Sequence, residues 1–157
     1  MDNLERNINV LKIIIEKISK SNNIDWILTG TTSLKLQGVD VPVNDIDILT
    51  GINGAYKLDN ILCEYCTKKL EFSSTDKYKS YYGIYLINNV KVEVMGNFQY
   101  RLKSHIWSLP NNLNESSILN YEGLDIPVLS LQQEKQEYEA MGRLDKVEKI
   151  NEAILHK

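Results

Sequence analysis

The segment from residue 24 to residue 49 constrains the fold of this chain more than any other part of the sequence. It reads IDWILTGTTSLKLQGVDVPVNDIDIL, which predicts a strand, a tight turn, a short helix, a loop and a second strand. Gly30 and the hydroxyl residues after it supply a flexible turn and a helix cap. A helix N-terminus presents free N–H groups and a partial positive charge, which suits a phosphate. We therefore predict an anion-binding turn formed by Gly30, Thr31 and Thr32.

Three acidic residues on two predicted strands form the second candidate site. Alternate side chains of a strand point to the same face, so Asp45 and Asp47 project together. Glu93, in the run VKVEVM, joins them if its strand lies beside theirs. Such a cluster repels itself unless a cation sits in it, and Mg²⁺ (or Mn²⁺) favours carboxylates together with substrate phosphates. An ordinary edge strand with two solvated aspartates is the alternative, because a D-x-D pair alone is common.

These motifs together resemble a known family. The Gly30-Thr31 turn, the Asp45-Ile46-Asp47 triplet and Glu93 are similar to the pattern of the nucleotidyltransferase superfamily. That superfamily includes DNA polymerase beta, the aminoglycoside and lincosamide nucleotidyltransferases, and small proteins of toxin-antitoxin systems. The tail IPVLSLQQEKQEYEAMGRLDKVEKINEAI also looks like the helical C-terminus of its small members. The resemblance covers most of the chain between residues 24 and 155.

The resemblance implies an α+β (α/β) nucleotidyltransferase fold, in which a mixed central β-sheet is flanked by helices and followed by a C-terminal helical pair. We expect one domain over residues 1–157. It would contain an N-terminal helix at 3–20, a core at 24–129 and C-terminal helices at 131–156. Composition agrees with a single globular domain, because 43% of the residues are hydrophobic and 25% are charged.

The resemblance also implies an activity. A nucleoside monophosphate would pass from a nucleoside triphosphate (NTP) to a hydroxyl of an unknown small-molecule or protein acceptor, with release of pyrophosphate. Asp45 and Asp47 would hold Mg²⁺ against the triphosphate, while Gly30 and Thr31 would seat its phosphates. Glu93 would complete a second metal position or act as the base for the acceptor hydroxyl. Two ions clamping the entering and leaving oxygens lower the barrier without a protein nucleophile.

Basic side chains should approach the triphosphate. Lys77 and Lys79 precede a predicted hairpin in a loop, and Lys135 and Arg143 lie on the predicted C-terminal helices. Each is a candidate phosphate ligand. The alternative for each is a solvated surface charge, since exposed Lys and Arg are abundant.

Two non-catalytic functions stay open. Val41 and Val43 stand where many small relatives carry Arg and Thr, and Glu93 stands where the family usually has Asp. A catalytically weak or inactive protein of this fold would serve as a toxin-antitoxin partner or as a nucleotide-binding regulator. The sequence does not decide between a monomer and a homodimer.

The net charge and the hydropathy of the chain argue against two classes of partner, long nucleic acids and membranes. The formal net charge is -3 and the pI is near 5.4, so the chain lacks the basic footprint of a protein that grips a long nucleic acid. The N-terminal residues do not resemble a signal peptide, and no apolar run reaches the length of a membrane span. We therefore expect a cytoplasmic protein that does not bind membranes.

Cys63 and Cys66 form a C-x-x-C pair, which suggests zinc or redox chemistry. The surrounding segment, GAYKLDNILCEYCTKKL, has apolar residues at helical spacing, and the chain has no second cysteine pair. We interpret both residues as reduced thiols packed in the core. Further along, 80–87 and 90–95 predict a hairpin joined by Asn88-Asn89, and 98–106 is compatible with a helix.

The C-terminal part of the sequence predicts two helices. Ser130 with Gln133 predicts a capping box at the start of the first, and Gly142 predicts its end. The buried stripe expected for the last helix consists of Leu144, Val147, Ile150 and Ile154.

Overall fold

The chain forms one mixed β-sheet with helices packed on both faces. The structure is a computed structural model that describes residues 1–21, 23–101 and 105–156. Its helices are Asn3–Ser19 (α1), Gly30–Leu36 (α2), Ile52–Ile61 (α3), Leu131–Ala140 (α4) and Leu144–Leu155 (α5). Its strands are Trp26–Thr29 (β1), Ile46–Thr50 (β2), Cys66–Ser74 (β3), Tyr78–Ile87 (β4), Val90–Tyr100 (β5), Ser117–Tyr121 (β6) and Leu124–Val128 (β7). The expected mixed sheet with flanking helices and a C-terminal helical pair is confirmed.

The order of the strands places the acidic strand near the middle of the sheet. Neighbours follow the order β3-β4-β5-β2-β1-β7-β6 among the described residues. β2 pairs antiparallel with β1 and parallel with β5, and β1 pairs parallel with β7. The remaining neighbours are antiparallel. The Gly30 turn, which follows β1, and Glu93, which lies on β5, therefore flank β2 on opposite sides.

Side-chain alternation along the central strands separates a core face from the face that carries the acids. Ile46 and Ile48 of β2 are fully buried in the main core, together with Leu11 and Ile14 of α1 and Leu58 of α3. On the opposite face, Leu49 of β2 packs with Ile27 and Leu129 in a smaller cluster. Because Asp45, Asp47 and Leu49 share this second face, the acids lie beside a small apolar core instead of in open solvent.

Several local predictions are confirmed. Asn88 and Asn89 both have positive φ values, 49° and 64°, as a tight hairpin turn between β4 and β5 requires. Ser130 accepts a hydrogen bond from the Gln133 N–H at 3.2 Å and so caps α4. Gly142, with φ at 71°, separates α4 from α5.

The prediction of a cysteine-bearing helix was wrong. α3 ends at Ile61, Cys63 lies in a short 3₁₀ turn, and Cys66 begins β3. Both thiols are exposed, so they do not pack in the core. The helical spacing of apolar residues was misleading because β3 is an edge strand with one buried residue, Leu70. The strand forms by pairing with β4, and a pattern within β3 alone does not show that contact.

Three smaller expectations also differ from the structure. Phe98 belongs to β5, which extends to Tyr100, so the expected helix does not begin there; residues 102–104 lie outside the described residues. Lys79 lies on β4 instead of in a loop. Leu144, expected in the buried stripe of α5, is exposed, whereas Ile150 of the same helix is fully buried. In the part of the chain that the structure describes, no helix is long and apolar enough to cross a membrane.

Candidate active site

The site is built on a row of three residues that crosses three strands. Thr29 at the end of β1 is paired with Asp47 on β2, and Asp47 is paired with Glu93 on β5. Asp45 precedes β2 by one residue and is about two-fifths exposed. The structure thus brings the three carboxylates predicted from the sequence to one edge of one sheet face.

Asp47 is the most strongly perturbed carboxyl of the row. Burial, followed by the negative charge of Glu93, raises the pKa of Asp47 well above its usual range. Its Oδ1 is buried and has no hydrogen-bond partner among the described residues. A buried carboxylate oxygen without a partner is costly, and a bound cation would compensate it.

Gly30 is required at the turn by its contact with Asp47. A Cβ on Gly30 would overlap Asp47 Oδ2, and the φ of Gly30 is +78°, in the left-handed region that favours glycine. The backbone of the turn at Gly30 is therefore packed directly against the carboxylate of Asp47 on β2. A side chain at position 30 would displace Asp47.

Glu93 lies in a network of donors. The Tyr82 hydroxyl donates to Glu93 Oε1 at 2.8 Å, and Lys91 Nζ lies 3.0 Å from the same oxygen. Lys91 Nζ also lies 4.0 Å from Asp45 Oδ2. Burial raises the pKa of Glu93, but the hydrogen bonds from Tyr82 and Lys91 outweigh it, so that the pKa lies below its usual value. Glu93 is thus ionised at neutral pH, and Lys91 balances part of the cluster's negative charge.

Glu134, on α4, is a site residue that the sequence interpretation missed. It is 1% exposed, and its Oε1 accepts hydrogen bonds from the Thr29 hydroxyl and, at 3.2 Å, from the Gly30 N–H. Burial raises the pKa of Glu134 to about 8. The only sequence signal is position, because Glu134 falls three residues after Leu131 and four before Tyr138, on the inward side of an otherwise polar helix.

The predicted phosphate-binding turn is partly engaged by protein groups. Thr31 Oγ1 accepts a hydrogen bond from the Asn44 N–H at 2.9 Å. The Thr32 hydroxyl is fully buried, accepting from Asn7 at 2.9 Å and donating to the Asp45 carbonyl at 2.8 Å. Thr32 therefore ties α1 to the chain just before β2, which is a structural role.

The four predicted basic residues lie outside the cavity next to Asp47. Lys79 Nζ lies 4.5 Å from the centre of the Trp107 ring, and Lys135 is 4.0 Å from Glu139. Arg143 pairs with Asp145 at 3.7 Å and also lies over the ring of Tyr138, which lines that cavity. Lys77 lines a separate cavity with Arg101.

A cavity of about 120 Å³, here called the catalytic cavity, opens between the row and α4. It is bounded by polar groups of the turn, the strand and α4, and by apolar side chains of β2, β5 and α4: Thr29, Gly30, Asp47, Leu49, Met95, Phe98, Glu134, Glu137, Tyr138 and Met141. It is small for a nucleotide. Any triphosphate would therefore extend beyond it.

The donor set fits a hard divalent ion in its chemistry. Within residues 1–21, 23–101 and 105–156, no three histidine, cysteine, aspartate or glutamate side chains are already gathered as a metal site. Asp47 nevertheless offers a buried oxygen that has no partner among the described residues, and Glu93 and Asp45 lie beside it with Lys91 as a counter-charge. Carboxylate oxygens next to a substrate phosphate are the ligands that Mg²⁺ uses in proteins.

The sequence matches a known protein family, and the fold is similar to solved structures. Residues 10–155 match the family described as Aminoglycoside-2''-adenylyltransferase. The fold is similar to that of TM1012 from Thermotoga maritima, provisionally described as a nucleotidyltransferase, with a TM-score of 0.83 and 37% identity over 100% of this chain and 97% of that one. No curated protein matches the sequence significantly.

Two more distant structures share the fold alone. The lincosamide antibiotic adenylyltransferase LnuA, solved with lincomycin bound, superposes with a TM-score of 0.60 at 13% identity, over 96% of this chain and 98% of that one. ANT(2")-Ia, solved with adenylyl-2"-tobramycin, has the same TM-score at 9% identity, over 95% and 90%.

Proposed function

Because the chain belongs to the aminoglycoside-2''-adenylyltransferase family, a family of nucleotidyltransferases, we propose that it transfers a nucleoside monophosphate to a hydroxyl group in a Mg²⁺-dependent or Mn²⁺-dependent reaction. One observation carries the proposal beyond the family. The turn at Gly30 is packed against Asp47, whose buried Oδ1 has no partner among the described residues, and Asp47 is paired with Glu93 on the next strand. Adenylyltransferases among the related proteins make ATP the first nucleotide to test.

Asp45 and Asp47 are the groups that would hold the divalent ion. An ion bound there would neutralise charge on the triphosphate and stabilise the departing pyrophosphate. Gly30 and Thr31 would face the phosphates, because Gly30 has no side chain between its backbone and Asp47. Lys135 and Arg143 would assist only where the triphosphate extends beyond the catalytic cavity.

Glu93 would take the proton of the acceptor hydroxyl. The acceptor oxygen would form a bond to the α-phosphorus, and the bond from that phosphorus to the bridging α,β-oxygen would break, releasing pyrophosphate. The proton of the acceptor hydroxyl would pass to Glu93, which is ionised because Tyr82 and Lys91 donate to it. Tyr82 and Lys91 contact one oxygen of Glu93, Oε1, and therefore orient the carboxylate.

Glu134 would tune the charge beside the phosphates. With its pKa near 8, Glu134 is mostly protonated at neutral pH and adds little negative charge next to Asp47. Its Oε1 accepts from the Gly30 N–H, a group that a phosphate would also use. A phosphate bound at the turn would thus compete with Glu134 for that donor.

The experiment is a transfer assay with radiolabelled ATP, in which pyrophosphate release and labelled product are measured with and without Mg²⁺. Aminoglycosides, lincosamides, tRNA and candidate proteins serve as acceptors. Wild-type protein should release pyrophosphate only with metal and an acceptor. Glu93→Gln should keep metal-dependent ATP binding and lose at least about 100-fold in rate, the scale of one general base. Glu115→Gln, in a surface 3₁₀ turn, is the control.

A second candidate is a protein that binds nucleotide without transferring it. Lys91 favours it, since this side chain already bridges Asp45 and Glu93 and supplies part of the charge that a metal would bring. ATP binding without pyrophosphate release for every acceptor would support this regulator. A homodimer, a toxin-antitoxin partner, a single domain over 1–157 and a cytoplasmic location stay predictions.

A further inference from the structure

A second pocket continues from the catalytic cavity. It has a volume of about 340 Å³ and shares Met95, Phe98 and Met141 with the catalytic cavity. We call it the β4–β5 pocket; its lining includes Tyr78, Lys79, Tyr82, Met95, Phe98 and Met141. Its volume is near the lower end of ligand pockets, roughly 300–1,000 Å³. A compact molecule with one or two rings would fit it.

The position of this pocket suits an acceptor. The Gly30 turn lies on the β1 side of Asp47, whereas the β4–β5 pocket is lined by residues of β4 and β5, on the other side of β2. Tyr82 joins the two regions directly, since it lines the pocket and donates to Glu93 Oε1 at 2.8 Å. A hydroxyl entering from this pocket would therefore reach the carboxylate proposed to take its proton.

The lining of the pocket selects against cations. Its described lining residues include no carboxylate, and its one charged member is Lys79. The ring of Trp107 already has two cations over it, Lys79 Nζ at 4.5 Å and Arg101 Cζ at 4.5 Å. Among the described lining residues of the pocket itself a polycation would meet Lys79 and no carboxylate, since the carboxylates of the catalytic cavity lie beyond the three residues that the two cavities share.

The same lining suits an apolar or aromatic body. The rings of Tyr78 and Phe98 are stacked with centroids 6.0 Å apart and an interplanar angle of 20°. Met95 and Met141 add adaptable apolar surface at the boundary with the catalytic cavity. Serine and threonine hydroxyls on β3, β4 and the loop between them supply uncharged hydrogen-bonding groups.

We propose that the β4–β5 pocket is the acceptor subsite and that it takes an uncharged, ring-containing hydroxyl compound instead of a polycationic aminoglycoside. This inference rests on the proposed function, because an acceptor exists only if the chain transfers a nucleotide. It departs from what the family description suggests about the acceptor.

Binding and transfer are tested separately so that the two proposals fail differently. The probes are three neutral aryl glucosides (4-nitrophenyl β-D-glucoside, salicin and arbutin) and the polycation tobramycin. Each is titrated by saturation-transfer NMR without nucleotide, and then offered as an acceptor with ATP and Mg²⁺. If the probes bind in the pocket but no acceptor receives a nucleotide, the proposed function is contradicted. If other acceptors receive a nucleotide but the aryl glucosides do not bind in the pocket, this inference is contradicted.

Three variants locate the binding. Phe98→Ala should weaken at least one aryl glucoside about tenfold, because it removes one ring of the stacked pair. Lys79→Glu should leave the neutral probes within about threefold and strengthen tobramycin about tenfold, since it replaces the one charge of the lining. Ile118→Ala, on β6 at the far end of the sheet, is the control and should change neither.

The variants also distinguish a loss of binding from a failure to fold. Phe98 packs against the small apolar core, so Phe98→Ala is interpreted only if its melting curve stays cooperative. Lys79→Glu changes a side chain that is not fully buried and tests the charge argument independently. Wild-type binding of tobramycin as tight as that of the aryl glucosides would overturn the inference. So would the failure of all three aryl glucosides to bind.

Discussion

Replacement of Glu134 by Gln should change how stability depends on pH. The neutral amide keeps an oxygen that can accept from Thr29 and from the Gly30 N–H, but it removes the ionisable group. In the folded protein the pKa of Glu134 is about 8, against 4.5 for an ordinary glutamate. The folded state therefore holds this proton at pH values where the unfolded chain has lost it.

The sign and the size of this change in the free energy of unfolding follow from proton linkage. A carboxyl whose pKa is raised by folding gives its full contribution to stability below pH 4.5, and that contribution is lost as pH rises to about 8. The difference of about 3.5 pH units, at about 1.4 kcal/mol for each, corresponds to an upper bound of about 5 kcal/mol. Relaxation and water entry will reduce it, so a loss of about 2–4 kcal/mol is expected in wild type.

The assay is urea unfolding at intervals between pH 5 and pH 9. Glu134→Gln should have a flatter profile than wild type and should be the more stable of the two at pH 8.5. Glu139→Gln, on the half-exposed side of the same helix, is the control and should follow the wild-type profile. Parallel profiles for wild type and Glu134→Gln would refute the assignment of a buried, neutral Glu134.

Three further substitutions test other parts of the site. Lys91→Met should lower the melting temperature of the metal-free protein, and calorimetry should show a rise of about fivefold to tenfold in Mg²⁺ affinity, since a competing cation is removed. The exposed Lys12→Met is the control, and an unchanged Mg²⁺ affinity in Lys91→Met would contradict this. Gly30→Ala should cost about 1 kcal/mol for its positive φ and weaken Mg²⁺-dependent ATP binding more than tenfold by displacing Asp47; normal ATP binding by a folded variant would exclude the turn as the phosphate seat. Glu93→Asp should recover part of the transfer rate lost in Glu93→Gln, and equal rates for the two variants would reduce Glu93 to a structural partner of its strand.

The sequence predicted the part of the fold that is encoded locally. Alternation in Asp45-Ile46-Asp47-Ile48 defined both the strand and the face of its acids, and the Gly30 turn marked the start of α2. Asn88 and Asn89 marked their hairpin because their positive φ values suit few other residues. Each of these signals depends on neighbouring residues and needs no tertiary contact.

The failures came from long-range contacts. β3 exists because β4 pairs with it, and its own residues are almost all exposed, so no buried pattern distinguished it from a continuation of α3. Glu134 could not be assigned to the site, because only the packing of α4 over the sheet brings it to Thr29 and Gly30, more than 100 residues away. Lys91 and Tyr82 were missed for a related reason: Glu93 was considered as a metal ligand or a base, and the side chains that would contact its carboxylate were not considered.

The central claim, that Asp47 binds a divalent ion together with a nucleotide, is tested most directly by calorimetric titration of α,β-methylene-ATP with and without Mg²⁺. Wild-type protein should bind the analogue appreciably only with Mg²⁺. Asp47→Asn, which preserves volume and removes the buried charge, should melt no lower than wild type without metal and should lose at least tenfold of the Mg²⁺-dependent affinity. Equal Mg²⁺-dependent affinity in wild type and a folded Asp47→Asn would contradict the account.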